Sequence, residues 1–241
     1  MKVISFSLYG DSPRYTIGAI RNSELRKEFY PDWEMRVYHN DSVPHHILTK
    51  LESNDVALVH AQQDWGVGNA MWRFAPASEE EVAYFISRDC DSRLFERDAC
   101  AVNEWIASGE NFHIIRDHPV GHAWEINAGM WGCKGNSIHN IQRRIGQYLE
   151  TTPWGSDSAV DQRFLQEIIY SQAITSLCLH DEYFNYEGIG TPIGRHRKLD
   201  NFAFVGEPFD ENDMQLEPHR QSIIRRYRRD SIIRIYRKFL G

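Results

Sequence analysis

No apolar run in this 241-residue chain approaches the roughly 18 residues that a membrane-spanning helix needs. The opening stretch, MKVISFSLYG, is too short and soon too polar for a signal peptide, so the expected compartment is the cytoplasm. Cysteine is scarce: Cys90, Cys100, Cys133 and Cys178 are scattered with no C-x-x-C pair. That spacing argues against a disulfide framework and a zinc knuckle, and leaves reduced, mostly buried thiols. Positive charge is scarce as well, except at one end. The net charge is −7, yet Arg220 to Gly241 carries +7 and the rest of the chain −14. An acidic body is a poor general binder of nucleic acid, so no nucleic-acid partner is expected, and any phosphate must be met by a metal or a local basic pocket. A Gly-rich phosphate fingerprint is missing too, because Gly188-Ile189-Gly190 has no strand-then-helix context.

What is present is alternation. Lys2 to Leu8 reads as a buried strand, and Ser12-Pro13 opens a helical pattern that Pro31 closes. Strands follow at Met35 to Tyr38, Val56 to His60, Val82 to Ser87, Phe112 to Ile115, around Met130 to Gly132, and at Ile174 to Leu179. Between them the periodicity predicts helices at Val43 to Leu51, Asn69 to Ala75, Ala99 to Ala107, Ile138 to Glu150 and Val160 to Gln172. The fold class is therefore α/β, a mixed, mostly parallel sheet flanked by helices. At this length and apolar content the chain is expected to form one large domain, residues 1–219, with a basic helical tail, 220–241.

In open α/β sheets ligands sit beyond the carboxyl ends of the strands. Polar groups fall there after the first, second and fourth strands: Tyr9-Gly10-Asp11, His39-Asn40-Asp41, and the cluster from Arg88 to Arg93. Within that cluster Asp89 and Asp91 flank Cys90. In an extended strand residues i and i+2 lie ~7 Å apart, too far for two oxygens on one small ion, so the chain must turn there or one Asp must act through water. Hard carboxylate ligands select Mg²⁺ or Mn²⁺, which bind well when substrate phosphates complete the shell. An EF-hand loop is excluded, since Leu94 stands where that loop needs glycine. Ordinary salt bridges from Arg88 and Arg93 to the two aspartates are the plainer reading of the same cluster.

Five strings, in order GNAMWRFAPA, FISRDCDSR, FHIIRDHP, INAGMWG and DQRFL, together resemble the GT-A fold of nucleotide-sugar-dependent glycosyltransferases. The likeness covers roughly residues 1–210. It is greatest to a bacterial and viral group with an R-D-x-D-S-R core, and more remote to family-eight glycosyltransferases. The resemblance implies that Asp89 and Asp91 hold a divalent metal on the donor diphosphate. Ser5 to Gly10, with Ser7, Tyr9 and Gly10 foremost, would cradle base and ribose, and Arg73, Arg88 and Arg195 would add donor contacts. Asn127, Ala128 and Gly129 would line the donor-sugar pocket, while Asp161 and Gln162 would face the transferred sugar. His180 would be a further metal ligand, with His196 the alternative because the H-x-x-G-x-K element of family eight is absent.

Such a transfer passes through an oxocarbenium-like state, and the metal takes up charge on the departing diphosphate. An inverting enzyme would deprotonate the acceptor with Asp117 or Asp161. The Asp161-Gln162 likeness leans towards retention. Two other classes fit the same motif: a metal-dependent phosphohydrolase or nucleotidyltransferase, and a non-catalytic adaptor acting through its tail. The tail repeats itself after nine residues, Ser222 to Asp230 and Ser231 to Phe239. At ~100° per residue that shift turns the pattern half way round, so a break near Asp230 is expected. Its Arg, Ile and Tyr content suits either packing on the acidic body or contact with an anionic membrane surface, which would place the protein at the inner face of a membrane beside a glycan or lipid-linked acceptor.

Overall fold

The computed structural model describes residues 1–151, 159–194, 202–216 and 218–240, with side chains described up to residue 230. Its centre is a seven-stranded sheet in the order β3-β2-β1-β4-β6-β5-β7. The strands are β1 (Lys2–Leu8), β2 (Glu34–His39), β3 (Val56–His60), β4 (Tyr84–Ser87), β5 (Phe112–Arg116), β6 (Trp131–Lys134) and β7 (Leu177–Asp181). β1 pairs in parallel with β2 and β4, β2 with β3, and β5 with β7, whereas β6 runs antiparallel to both β4 and β5. This is the mixed, mostly parallel α/β architecture that the alternation implied.

Each face of the sheet carries its own core. On one face Ile4, Phe6 and Leu8 of β1 meet α1 (Pro13–Phe29), α2 (His45–Ser53) and α3 (Glu96–Ser108) through Ala19, Ile47, Leu51, Val102 and Trp105. The opposite face of β1 shows Val3, Ser5 and Ser7, and the two small serines let a 3₁₀ segment, Gly66–Ser78, lie close against the sheet. The Ser7 hydroxyl donates to the Ala70 carbonyl and accepts from the Arg73 amide, at 3.0 Å each. Beyond that segment lie α4 (Ile141–Thr151), α5 (Val160–Phe164) and α6 (Tyr170–Ala173) around Phe74, Trp131, Ile145 and Phe164.

Four local expectations are corrected. The helix expected at Asn69 to Ala75 belongs to a longer 3₁₀ segment, Gly66–Ser78, with Gly66 and Gly68 at its start and, near its end, Pro76, which lacks the N–H an α-helix would use. The helix expected over Val160 to Gln172 contains a π turn, Leu165–Ile169, between α5 and α6. The strand expected from Ile174 starts only at Leu177, because Ile174 and Ser176 complete the turn that ends α6. Finally, α7 (Pro218–Leu240) runs unbroken through residue 230. Ile223, in the first copy of the repeat, is buried against the body, and a continuous helix simply turns the second copy away from the face that the first presents. An Arg226–Asp230 pair at 3.2 Å spans the turn where a break was expected.

Candidate functional site

Because β1, β2 and β4 are parallel neighbours, their carboxyl ends open on one rim. The loops after β1 and β2 touch there: the Gly10 amide donates to Ser42 Oγ at 2.6 Å. Gly10 has φ +75°, a conformation that glycine takes without strain. After β4 the chain turns, as two aspartates serving one ion require. Ser92 N and Ser92 Oγ both donate to the Asp89 carbonyl, at 3.2 and 2.9 Å, which closes a turn over Asp89–Ser92. The Cys90 thiol points inward and donates to the Ser7 carbonyl, so the aspartates on either side of it face away from the core.

Segments distant in sequence meet at this turn. Arg73, from the 3₁₀ segment and only 4% exposed, donates to Asp89 Oδ1 at 2.5 Å and to Asp161 Oδ2 at 3.1 Å, so one guanidinium joins two carboxylates. Arg14, in the first turn of α1, donates to Asp91 Oδ2 at 2.5 Å. Gly129 lies directly under Asp89, where a Cβ would overlap the carboxylate. Gln162 Oε1 accepts from the Ala128 amide at 3.0 Å, and Ser87 Oγ donates to the Ala128 carbonyl at 2.6 Å. The N-A-G and Asp-Gln motifs are thereby locked to each other and to the end of β4.

Three carboxylates, Asp89, Asp91 and Asp161, face two guanidiniums at this rim, which among the described residues leaves one negative charge uncompensated. The titrations reflect it. Burial raises the Asp91 carboxyl above its usual range and the Asp89 charge raises it further, against the pull of Arg14. Burial likewise raises Asp161; Arg73 opposes the shift and the Asp89 charge adds to it. Arg73 Nε is buried and has no hydrogen-bond partner among the described residues.

The remaining expected residues are placed as follows. Tyr9 stays at the rim, 40% exposed, with its ring edge-on to Trp72. Ser7 is buried and supports Arg73. Asn127 is buried in the turn before β6, where its carbonyl accepts from the Met130 amide at 2.9 Å. Arg88 departs from its expected donor role: fully buried, it forms a two-pronged pair with Asp98 of α3 at 3.0 and 2.6 Å. Asp117 is likewise withdrawn, because both its oxygens are taken, by Arg97 at 3.0 and 2.9 Å and by the Val205 amide. His180 does not reach the Asp89–Asp91 turn; its ring bonds Glu104 and His113, each at 2.8 Å. Strand alternation explains this, since His180 and His113 share the sheet face that carries α3. Arg195 and His196 lie outside the described residues. Sequence reasoning passed over Arg14, although its place just after a strand end, in the first turn of a helix, was the available signal.

No protein-family model matches the chain, and no curated protein matches it either. Solved structures with partial similarity include a glycosyltransferase involved in glycosylation of the major capsid of PBCV-1, at 16% identity, TM-score 0.46, 75% of this chain and 82% of that one. The galactosyltransferase LgtC, in complex with donor and acceptor sugar analogues, is similar at 10% identity and TM-score 0.49, over 75% and 73% of the two chains. The mannosyltransferase PcManGT from Pyrobaculum calidifontis, in complex with GDP-Man and Mn²⁺, is similar at 15% identity and TM-score 0.42 over 58% of this chain, which spans only 45% of that one. None reaches a TM-score of 0.5, so the functional reading is carried by the site itself.

Proposed function

We propose that this chain is a metal-dependent glycosyltransferase of the GT-A kind that moves a sugar from a nucleotide-diphosphate donor to a hydroxyl on a glycan or lipid-linked acceptor. The observation that carries the reading is the meeting of Arg14, Arg73, Asp89, Asp91, Gly129 and Asp161 at one sheet rim. Three carboxylates gathered in one place, Asp161 buried and Asp91 partly so, cost folding energy unless a ligand uses them.

The donor set fits Mn²⁺ or Mg²⁺. The oxygens are hard, Asp89 Oδ2 makes no hydrogen bond among the described residues, and one surplus negative charge awaits a cation. Such an ion, when bound, would neutralise charge on a diphosphate. Asp89 and Asp91 would hold it, Arg14 and Arg73 would fix the two carboxylates, and Tyr9 and Gly10 would lie along the nucleoside. Asp161 and Gln162 would face the transferred sugar. With Asp117 enclosed by Arg97, Asp161 would be the carboxylate left to act near the reacting carbon. It is itself held by Arg73 and by the Gln162 amide, which suits electrostatic support of the sugar better than proton abstraction and favours retention. An anionic membrane surface is the proposed second partner, reached through α7.

The test is binding of UDP and GDP sugars with and without Mn²⁺, by calorimetry and product analysis. Stabilisation by the nucleotide should require the metal and should be lost in Asp91→Asn, and turnover should fall ~10²–10³-fold. A double Asn variant at 89 and 91 that transfers sugar at the parent rate would sink the reading, and release of inorganic phosphate or pyrophosphate without sugar transfer would move the site to a phosphohydrolase or nucleotidyltransferase.

A further inference from the structure

On the α3 face of the sheet, away from the Asp89–Asp91 turn, His113 of β5 and Cys178 of β7 are direct cross-strand partners, and His180 lies two residues along the same face. Their ligand-capable atoms all fall within 4.8 Å of one another. Neither histidine has the ordinary surroundings of a core ring. His113 is 1% exposed and stacks on Trp105 at 5.2 Å, and its Nδ1 has no hydrogen-bond partner among the described residues. His180 is 3% exposed and its Nε2 lies 2.8 Å from Glu104 Oε2. A carboxylate on the far nitrogen of an imidazole is how metal-binding histidines are oriented, because it fixes the tautomer and leaves the other nitrogen as a lone pair. That other nitrogen, His180 Nδ1, points at His113 Nε2, 2.8 Å away.

We propose that His113, Cys178 and His180 bind one divalent ion of the zinc class, separate from the carboxylate site at the rim. Two imidazoles and a thiolate are a borderline-soft set, which favours zinc over the manganese or magnesium suited to Asp89 and Asp91. Around an ion with N and S at ~2.0–2.3 Å the donor atoms stand roughly 3.3–3.6 Å apart, so the two imidazole nitrogens, now 2.8 Å apart, must open by about 0.5 Å while Cys178 Sγ draws in by about 1 Å through its χ1. On binding, the Cys178 thiol gives up its proton to solvent as the metal–sulfur bond forms. The proton held between His180 Nδ1 and His113 Nε2 passes to His113 Nδ1. That nitrogen lacks a partner either way, so the ion adds no new orphan. Cys178, only half-buried, and the open hollow beside Glu104, Cys100 and Gly194 provide the way in. The ion would clip the edge strand β7 to β5 and give His180 a duty other than the donor site.

The experiment uses the full chain, stripped with chelator and titrated with Co²⁺. One equivalent should bring up a thiolate-to-cobalt charge-transfer band with tetrahedral d–d absorption, both erased by Zn²⁺. Cys178→Ser should lose the charge-transfer band, and Glu104→Gln should weaken the ion's affinity 10–100-fold with the fold intact. The Asp89→Asn, Asp91→Asn double variant should keep the band, so the outcome is independent of the proposed transferase. Absence of the band in the parent, its persistence in Cys178→Ser, or unchanged affinity in Glu104→Gln would overturn the assignment.

Discussion

At residue 129 a single methyl group decides whether Asp89 can hold its place. The carboxylate lies over the bare Cα of Gly129, and a Cβ there would collide with Oδ2, the oxygen that Arg73 leaves uncommitted. Gly129→Ala should therefore push Asp89 off its position, reducing turnover at least tenfold while the melting temperature stays within a few degrees, since the carboxylate can swing outward. Steady-state kinetics beside a thermal melt would check it, and unaltered turnover would remove Asp89 from the reaction. Asp161→Asn makes a complementary case. It keeps the side-chain shape and leaves Asp89 and Asp91 untouched, so nucleotide affinity should stay within about threefold while kcat falls tenfold or more. Short motifs single these residues out in the sequence, and the fold brings them together. What the sequence hid was which partner each takes. Arg88 and Arg93 stand beside the aspartates in the chain, yet Arg88 turns under the sheet to Asp98 and Arg93 reaches Asp213, while Arg73 and Arg14 arrive from elsewhere.

Elements position these residues by close approach of backbone to backbone. Helix α1 lies so near the Asp89–Ser92 turn that a Cβ at Gly18 would overlap the Cys90 carbonyl oxygen, while Asn22 Nδ2 donates to the carbonyls of Cys90 and Ser92, at 3.3 and 2.8 Å. The obstacle is backbone and cannot swing aside, so Gly18→Ala should cost about 1–3 kcal/mol, read from chemical denaturation, and should also loosen nucleotide binding. A second element shows a pH dependence. Arg116, at the end of β5, pairs with Asp181 at 2.8 Å and with both oxygens of Glu187. Burial pushes Glu187 up, but the bonds from Arg116 and from the Tyr170 hydroxyl outweigh it and hold its carboxyl below the usual range. A depressed folded pKa gives stability that is complete above the ordinary glutamate value of about 4.3 and is lost as pH falls through the folded one. Glu187→Gln should therefore lower the melting temperature at pH 7, by roughly 1.5–3 kcal/mol in stability terms, and the gap from the parent should close below about pH 4. Most strands and helices were legible from apolar periodicity within a few residues. The 3₁₀ segment and the π turn were not, because both depend on tertiary packing that periodicity does not encode.

Across the whole molecule the unsettled boundary is that between body and tail. The sequence suggested a division after His219, from charge alone. In the structure α7 begins inside the body's packing: Arg220 pairs with the buried Glu207, Ile223 is 2% exposed, His118 bonds the His219 carbonyl at 2.9 Å and Tyr227 meets Phe202 at 5.8 Å. A chain ending at His219 forfeits the burial of Ile223, worth about 2 kcal/mol, and loses the Arg220–Glu207 ion pair. A chain ending at Arg229 keeps all of these contacts. It also retains Arg225, Arg228 and Arg229, which are exposed on the helix. Relative to the full chain it lacks Asp230, Arg234, Arg237 and Lys238, a net loss of two positive charges. At ~1 kcal/mol for each basic residue near an anionic bilayer, binding should weaken by about 30-fold, apart from what the lost Ile and Tyr residues contribute. The expected order is a full chain that sediments with vesicles containing phosphatidylserine at low salt, an Arg229-terminated chain that does so about 30-fold more weakly but melts within a few degrees of the parent, and a His219-terminated chain that melts distinctly lower. Salt should abolish the sedimentation, and neutral vesicles should not support it. If the full chain ignores anionic vesicles at low salt, or the Arg229-terminated chain binds them as well as the full one, the end of α7 does not reach a membrane and serves the protein in another way.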